Sequence, residues 1–168
     1  MKITAFFTAL ARLLTGQGKK SATDNSVVTD FELNRYLGDW YEIARFNHRF
    51  ERGIEQSKAQ YTLRDDGKIK VLNTGIKDDK FKEAKGVAKL TDTPALLRVS
   101  FFGPFYADYR VMLIDADYQH ALIGSGSNSY LWILSRTPRL SEDAKTKILS
   151  EAQRRGYNIS QLIWVEQI

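Results

Sequence analysis

The 168-residue sequence contains no cysteine. This absence excludes disulfide bonds, thiolate metal sites, a cysteine nucleophile and a thioether-linked lipid. Histidine is scarce as well, because His48 and His120 are the only two and lie far apart, without the spacing of metal ligands. We therefore expect no metal and no cofactor, and we interpret both histidines as surface or rim residues.

A strong charge of either sign is also missing. The chain has 25 basic and 20 acidic residues, a formal charge of +5, and two of the cations are Lys2 and Arg12 near its start. Without those two, 23 basic residues face 20 acidic ones, which leaves +3. This charge is too small and too dispersed to indicate binding to nucleic acid.

The apolar run at residues 3–14 is too short to span the roughly 30 Å hydrocarbon core of a bilayer. It follows Lys2 and precedes small residues at 15–16, a pattern typical of a signal peptide. An uncleaved amphipathic anchor and a disordered leader are the alternatives. We expect residues 1–30 to form a leader and flexible tether, and residues 31–168 to form one domain.

What the sequence has in abundance is a two-residue period. Between residues 38 and 136, apolar and polar side chains alternate, and turn signals recur at hairpin spacing. The clearest alternation precedes the tight turn at Asp66-Gly67. Eight strands are predicted: Gly38 to Phe46, Ser57 to Arg64, Lys68 to Gly75, Phe81 to Leu90, Ala95 to Phe102, Asp108 to Asp115, Tyr118 to Gly124 and Tyr130 to Arg136.

The predicted fold class is all-β. Eight strands joined by short hairpins could form a sandwich, but they favour an antiparallel up-and-down β-barrel, which leaves no unpaired edge. The period changes after Pro138, where Ser141 as N-cap and Gly156 at the far end bound one α-helix. Its apolar stripe should pack on the barrel wall, and the segment from Leu162 to Val165 predicts a short extra strand.

Three segments carry a resemblance to a known family. They are YLGDWYEIARF at 36–46, LIDADYQHALI at 113–123 and YLWILSRTP at 130–138. In this order they resemble the signature segments of the lipocalin family. The fuller match, which includes FNHRFERG and SFFGPFY, is similar to the bacterial outer-membrane lipocalins, relatives of apolipoprotein D. It covers roughly Phe31 to Val165.

The resemblance implies structural roles for the signature residues Gly38, Trp40, Asp117, Tyr118 and Arg136. In the family pattern the matching tryptophan closes the narrow end of the barrel, and the matching arginine lies across it in a cation–π contact. These residues are therefore expected to stabilise the fold rather than to bind a ligand.

If Gly38 begins at the closed end, successive loops alternate between the two ends, and the segments that follow the first, third, fifth and seventh strands surround an open mouth. The candidate mouth residues are His48, Arg49, Arg52, Lys80, Phe105 and Tyr106. Cations beside aromatic side chains around an apolar cup suit an amphiphile with an anionic head and a hydrocarbon tail.

Alternation counted from Trp40 selects the side chains that face the barrel lumen. The candidate cavity residues are Glu42, Ala44, Phe46, Tyr61, Val71, Val99, Phe101, Tyr109, Val111 and Trp132. Alternation alone is compatible with a packed core or with a ligand cavity, and the resemblance favours the cavity. The Glu42 carboxylate is expected either to pair with an arginine or to meet the polar group of a ligand.

The resemblance implies a non-enzymatic protein that binds fatty acids or lysophospholipids, and stores or transports them for maintenance of the bacterial envelope. Two alternatives are a lipocalin-fold enzyme with a hydrophobic substrate, and an interaction module that forms a homodimer through residues 102–106. No catalytic residue is expected, because GSGSNS at 124–129 lacks both a nucleophile elbow and a dinucleotide-loop pattern. Contact with a membrane surface is a further expectation.

The resemblance also sharpens the interpretation of LLTGQGKK at residues 13–20. In bacterial lipoprotein precursors a small-residue run precedes a lipid-modified cysteine, but position 17 here is Gln. Gln17 cannot accept a thioether-linked lipid. We therefore expect a protein of the bacterial envelope, periplasmic or at the outer membrane, that is soluble as written or an anchored protein in which Gln17 replaces the cysteine.

Overall fold

The structure is a computed structural model that describes residues 23–48 and 51–168. The predicted leader with Gln17, and the predicted mouth residue Arg49, lie outside the described residues. The helices are α1 (Leu33–Tyr36), α2 (Glu142–Arg154) and a 3-10 turn (Ile159–Gln161). The strands are β1 (Gly38–Phe46), β2 (Glu55–Leu63), β3 (Ile69–Lys77), β4 (Lys80–Leu90), β5 (Leu96–Phe102), β6 (Phe105–Ile114), β7 (His120–Gly124), β8 (Leu131–Ser135) and β9 (Leu162–Trp164).

Eight of these strands close into an antiparallel barrel. Each strand from β1 to β7 pairs with the strand that follows it, and β8 pairs with β1 to close the ring. β9 lies outside this ring and pairs with β1 over Ala44 to Phe46. The predicted all-β barrel with one helix and one extra strand is confirmed. The largest difference in a strand end is at β6, which begins at Phe105 rather than Asp108 because Phe105 pairs with Phe102 across the hairpin.

Alternating burial and a short turn explain the second and third strands. In β2, Ser57, Ala59 and Tyr61 are buried while the residues between them are exposed, as a strand with one dry face requires. The chain then reverses at Asp66, whose carboxylate accepts the N–H of Lys68 at 3.1 Å, and at Gly67 with φ of +78°. Glycine adopts this backbone conformation without steric cost, so the hairpin register is fixed locally.

Helix α2 covers the outer wall of the barrel. The hydroxyl of Ser141 accepts the N–H of Ala144 at 3.2 Å and so provides the predicted N-cap. The apolar stripe of α2 is formed by Ala144, Ile148 and Ala152, all buried. Ile148 and Ala152 belong to an outer cluster that includes Met112 on β6. None of the helices in the described part of the chain is long and apolar enough to cross a membrane.

The described part of the predicted tether contacts the barrel. The N–H of Val28 donates to the carbonyl oxygen of Val111 at 3.0 Å, and the N–H of Asp24 donates to that of Arg155 at 2.8 Å. The Arg155 guanidinium donates in turn to the carbonyl oxygens of Asp24 and Ser26, at 3.1 and 2.8 Å. The division near residue 30 between tether and barrel domain stays a prediction.

Candidate functional site

The barrel is closed at one end by a tryptophan and an arginine. The guanidinium carbon of Arg136 lies 3.8 Å from the centroid of the Trp40 ring. Arg136 also donates to the carbonyl oxygens of Asp39 at 2.8 Å and of Tyr36 at 3.2 Å, where α1 ends. Gly38 has φ of +96°, which side-chain-bearing residues rarely adopt. This end is thus held by hydrogen bonds to main-chain carbonyl groups and by a cation–π contact, and the Trp40 indole N–H also donates to the carbonyl oxygen of Tyr36 at 2.7 Å.

The signature turn between β6 and β7 supports the same end. The hydroxyl of Tyr118 accepts the N–H of Glu32 at 2.8 Å, which ties the turn to the segment before α1. Asp115 holds the turn itself, because its Oδ1 accepts the N–H of Gln119 at 2.7 Å. Asp117 is exposed, so the hydrogen-bonding role within this turn belongs to the neighbouring aspartate.

An open cavity occupies the other half of the barrel interior. Its empty volume is about 740 Å³, counting the part that opens to solvent. Seven of the sequence-predicted cavity residues line it: Glu42, Tyr61, Val71, Val99, Phe101, Tyr109 and Trp132. Most of the wall is therefore aliphatic or aromatic, as binding of a hydrocarbon chain requires.

Six further lining residues are not among the predicted cavity residues: Glu51, Asn73, Ala107, Asp108, Ile123 and Leu134. By alternation, Asn73 and Leu134 share the inner face of Val71 and Trp132, as Ala59, which also lines the cavity, shares that of Tyr61. Glu51 belongs to the segment between β1 and β2, where no period exists to follow. Among the described residues that line the cavity, none is lysine, arginine or histidine.

A β-bulge in β1 corrects part of the prediction. The pairing of β1 with β8 shifts between Glu42 and Ala44, and one extra residue reverses the alternation. Ala44 and Phe46 therefore lie in the outer cluster under α2, and their predicted place in the lumen is wrong. Arg45 reaches the interior groups instead. Val111 is fully buried in the interior cluster and does not line the cavity.

The bulge brings Arg45 between two buried acids. Its Nη1 donates to Oε1 of Glu42 at 2.7 Å, and its Nη2 donates to the carbonyl oxygen of Glu51 at 2.6 Å. The Glu51 carboxylate also accepts the indole N–H of Trp132 at 3.3 Å and lies 2.9 Å from Nε2 of His48. Arg45 is 1% exposed, Glu51 7% and Glu42 8%, so the whole cluster is shielded from bulk water.

The two carboxyl groups of this cluster differ in protonation. Burial raises the pKa of Glu42 to about 8, the negative charge of Glu51 adds to the shift, and Arg45 and Ser57 oppose it. Burial would also raise the pKa of Glu51, but the hydrogen bond and charge of His48, with Arg45, lower that pKa below its usual value. At neutral pH the pair therefore holds one proton, on Glu42, while Glu51 is ionised.

Three tyrosines form a polar floor to the cavity. The hydroxyl of Tyr109 lies 2.5 Å from that of Tyr36 and 2.9 Å from that of Tyr61. Burial raises the pKa of each, so the three hydroxyls are neutral. Tyr61 and Tyr109 also line a smaller pocket of about 240 Å³ towards the closed end. The tyrosine layer thus separates the open cavity from the closed half of the barrel.

The mouth carries exposed aromatic and basic side chains. Phe81 at the start of β4 is 63% exposed, and Phe102 at the end of β5 is 41% exposed. The ring of Phe105 stacks on Phe102 with centroids 6.4 Å apart. Arg52, between β1 and β2, and Lys80, at the start of β4, were both predicted at the mouth, and both are exposed. The rim therefore combines apolar rings with positive charge.

Two predicted mouth residues have other surroundings. The side chain of His48 is only 10% exposed and packs edge-on against the rings of Tyr130 and Trp132. The side chain faces the buried Glu51 carboxylate rather than solvent. Tyr106 lies beneath the amine of Lys89, which is 4.1 Å from its ring centroid. The described residues contain no group of three or more acids and histidines placed to hold a metal ion.

Comparison with known proteins agrees with this architecture. The family model described as a lipocalin-like domain matches residues 31–167. The chain belongs to the lipocalin family. This lipocalin is 50% identical over 146 residues to the outer membrane lipoprotein Blc of Escherichia coli K12, an alignment that covers 84% of this chain and 82% of that protein.

More distant relatives share the family or the fold. The lipocalin is 31% identical over 152 residues to apolipoprotein D of Mus musculus, over 84% of this chain and 79% of that one. The crystal structure of the cockroach allergen Per a 4 superimposes with a TM-score of 0.72 at 19% identity, over 89% of this chain and 97% of that chain. Family and fold together support binding of a hydrophobic ligand in the barrel.

Proposed function

We propose that this lipocalin binds single-chain lipids, such as fatty acids or lysophospholipids, and stores or transports them without catalysis. The observation that supports it best is the open cavity of the barrel, with its largely aliphatic and aromatic wall. Each buried methylene contributes about 0.8 kcal/mol, so a chain of about 16 carbons gains on the order of 10 kcal/mol before entropic costs. That gain is sufficient for micromolar affinity.

The proposed site of action is the bacterial envelope. The support for it is the similarity to a relative that is named an outer membrane lipoprotein. The proposed ligand contacts are the seven predicted side chains that line the cavity, with the hydrocarbon chain against Val71, Val99 and Phe101 and the head nearer Glu42 and Trp132.

Lipid titration tests the binding function. The purified, delipidated protein is titrated with a lysophospholipid and with a fatty acid while tryptophan fluorescence is followed, since Trp132 lines the cavity. We expect a saturable change and a one-to-one complex in native mass spectrometry. An unchanged emission together with an absence of bound lipid, for both ligands, would contradict the proposal.

The rim is proposed to contact a membrane surface while lipid enters or leaves. Phe81 and Phe102 are the exposed apolar groups, and Arg52 and Lys80 supply positive charge that complements anionic lipid heads. Flotation with anionic and with neutral vesicles tests the contact, using Phe81→Ser/Phe102→Ser as the variant. Vesicle binding should fall in the variant. If sedimentation instead shows that the same substitutions dissociate a dimer, the rim is a homodimer interface.

A lipocalin-fold enzyme is the second candidate, favoured by one observation. Glu42 is a protonated carboxyl at neutral pH inside a ligand cavity, which is the state of a general acid. Incubation of the protein with candidate lipids, followed by mass analysis of the products, tests it. Turnover that is lost in Glu42→Gln while lipid affinity is retained would replace the carrier function by catalysis.

A further inference from the structure

The cavity presents the two acids of the buried cluster and hides its arginine. Glu42 and Glu51 both line the cavity, whereas the Arg45 side chain is 1% exposed and lies behind them. The Nη2 of Arg45 is committed to the carbonyl oxygens of Glu51 and Ile54, at 2.6 and 3.0 Å, and its Nη1 to Glu42. A ligand in the cavity therefore meets the two acids first. Arg45 lies behind them with Nη1 and Nη2 hydrogen-bonded, and its Nε, which has no hydrogen bond within the described residues, is 3.7 Å from Oε2 of Glu51.

The polar atoms nearby are also suited to a ligand that donates. Oδ1 of Asn73, a lining residue, is buried and has no hydrogen-bond partner among the described residues. A buried acceptor in this state is stabilised when a ligand supplies a donor. The indole N–H of Trp132 is directed at Glu51, and the Tyr61 hydroxyl at Tyr109. The rings of Trp132 and Tyr61 line the same wall and can receive a cation on their faces.

We propose that the cavity selects single-chain amphiphiles whose head carries an ammonium group over those whose head is a carboxylate, by placing the ammonium against Glu42 and Glu51. This inference rests on the proposed lipid-binding function. It narrows the class of ligands to amphiphiles with an ammonium head, and fatty acids are expected to bind more weakly. An ammonium or trimethylammonium head compensates the acids and contacts the aromatic rings. A carboxylate head in the same place meets the ionised carboxylate of Glu51, and no lysine, arginine or histidine is among the described lining residues.

Binding of a cation should displace the proton of the acid pair. The groups that face Glu42 from its own and the neighbouring elements are Arg45, Glu51, Ser57 and Tyr61, while His48 and Trp132 contact Glu51. An added positive charge favours the ionised form of Glu42, so its proton leaves to the buffer as the ammonium binds. The affinity for the cation should therefore increase as the pH rises towards 8, while the affinity for an uncharged ligand stays constant.

Three probes with the same twelve-carbon chain isolate the head group: dodecyltrimethylammonium, dodecanol and dodecanoate, each below its micellar concentration. The full protein is titrated with each by isothermal calorimetry in two buffers of different ionisation enthalpy. We expect dodecyltrimethylammonium to bind about tenfold more tightly than dodecanol. This ratio is what one desolvated contact of the cation with an aromatic ring and an acid contributes to the binding free energy. Dodecanoate should bind more weakly than dodecanol, and only the cation should release a proton.

Two isosteric variants assign the selectivity. In Glu42→Gln and in Glu51→Gln the affinity for dodecyltrimethylammonium should fall to that for dodecanol. Retained dodecanol binding shows that the barrel and cavity are intact, so a misfolded variant is recognised. Glu83→Gln is the matched control, since Glu83 pairs with Lys85 on the exposed face of β4; there the preference should be unchanged.

Two results would overturn the selectivity. The first is dodecanoate binding as tightly as the cation or more tightly, and the second is a cation preference that survives in both glutamine variants. If dodecanol and both charged probes all fail to bind the wild-type protein, the lipid-binding function itself fails, and the inference fails with it. The neutral probe thus distinguishes the loss of binding from the loss of selectivity.

Discussion

The two halves of the barrel use the same pair of residue types for different purposes. At the closed end, Arg136 stacks on Trp40 and donates to main-chain carbonyl oxygens, and little space remains. In the open half, Arg45 and Trp132 instead donate to buried carboxylates beside a cavity. Neutral acceptors in a packed end give stability, whereas ionisable acceptors beside empty space give a site that can respond to a ligand and to pH.

The largest effect is expected from a substitution that disrupts only the closed end of the barrel. Trp40→Ala removes a ring with 0% exposure and the stacking surface of Arg136, so the free energy of unfolding should fall by about 3–5 kcal/mol. Denaturant unfolding followed by circular dichroism measures it. Trp164→Ala, at a tryptophan that is 46% exposed, is the control and should change the free energy of unfolding by less than about 1 kcal/mol. Equal losses in both variants would contradict the assigned role of Trp40.

The next largest effect is expected on the pH dependence of the free energy of unfolding, and it arises from the acid pair Glu42 and Glu51 in the open half. The folded-state pKa of Glu42, about 8, lies above its ordinary value of 4.5, so the folded protein holds a proton that the unfolded chain releases between these pH values. The contribution to stability is therefore present below about pH 4.5 and is lost as the pH rises to about 8. The glutamine of Glu42→Gln cannot ionise, so the free energy of unfolding of this variant should not decline in this way. Between pH 5 and pH 8 the wild type should therefore lose on the order of 2 kcal/mol more of its free energy of unfolding than the variant loses.

Chemical unfolding at a series of pH values measures this difference. Glu51, with its lowered pKa, acts in the opposite direction and only below the ordinary glutamate range, so the interval between pH 5 and 8 reports on Glu42. Glu83→Gln, on the exposed face of β4, should follow the wild type throughout. A parallel pH profile for Glu42→Gln and the wild type would show that the buried pair carries no such proton.

A third variant should impair the open half without disturbing the closed one. Val99→Phe places a ring in the cavity, and lipid affinity should fall at least about tenfold, equivalent to about 1.4 kcal/mol of binding free energy. The free energy of unfolding should change less, because the added atoms enter existing space. Val87→Phe, on the opposite face of the neighbouring strand by alternation, is the control. Unchanged affinity in Val99→Phe would place the ligand elsewhere.

The smallest expected effect concerns the rim. Lys80→Ser removes one exposed cation, so binding to anionic vesicles at low salt should weaken about fivefold, which corresponds to about 1 kcal/mol. Unfolding and lipid affinity should not change. Lys147→Ser, on the exposed face of α2 and away from the mouth, should leave vesicle binding at the wild-type level. An equal loss in both variants would indicate general charge attraction instead of rim contact.

The closed end could be predicted because local rules located its elements and the family resemblance supplied its contact. Alternation located the strands, Ser141 and Gly156 located α2, and the resemblance to the lipocalin family paired Trp40 with Arg136. The acid cluster could not be predicted in the same way. A single bulge after Glu42 exchanges Arg45 for Ala44 at the interior, and a bulge leaves no periodic trace in one sequence.

Non-periodic segments account for the remaining differences. Glu51 lies between strands, and its burial depends on contacts with Arg45, His48 and Trp132 that sequence spacing does not encode. An acidic residue in a loop is ordinarily solvated, so nothing short of the tertiary structure indicates a buried carboxylate. Glu42 was the one visible signal, because alternation placed a carboxylate inside the barrel.

We propose that ligand binding is confined to the open half of the barrel. A heteronuclear NMR titration of the protein with a saturating single-chain amphiphile tests this most directly. The Trp132 indole and the Val99 and Phe101 amides should shift, while the Trp40 indole at the closed end should stay unchanged. Saturable binding that shifts the Trp40 indole and leaves Trp132 unaffected would contradict it.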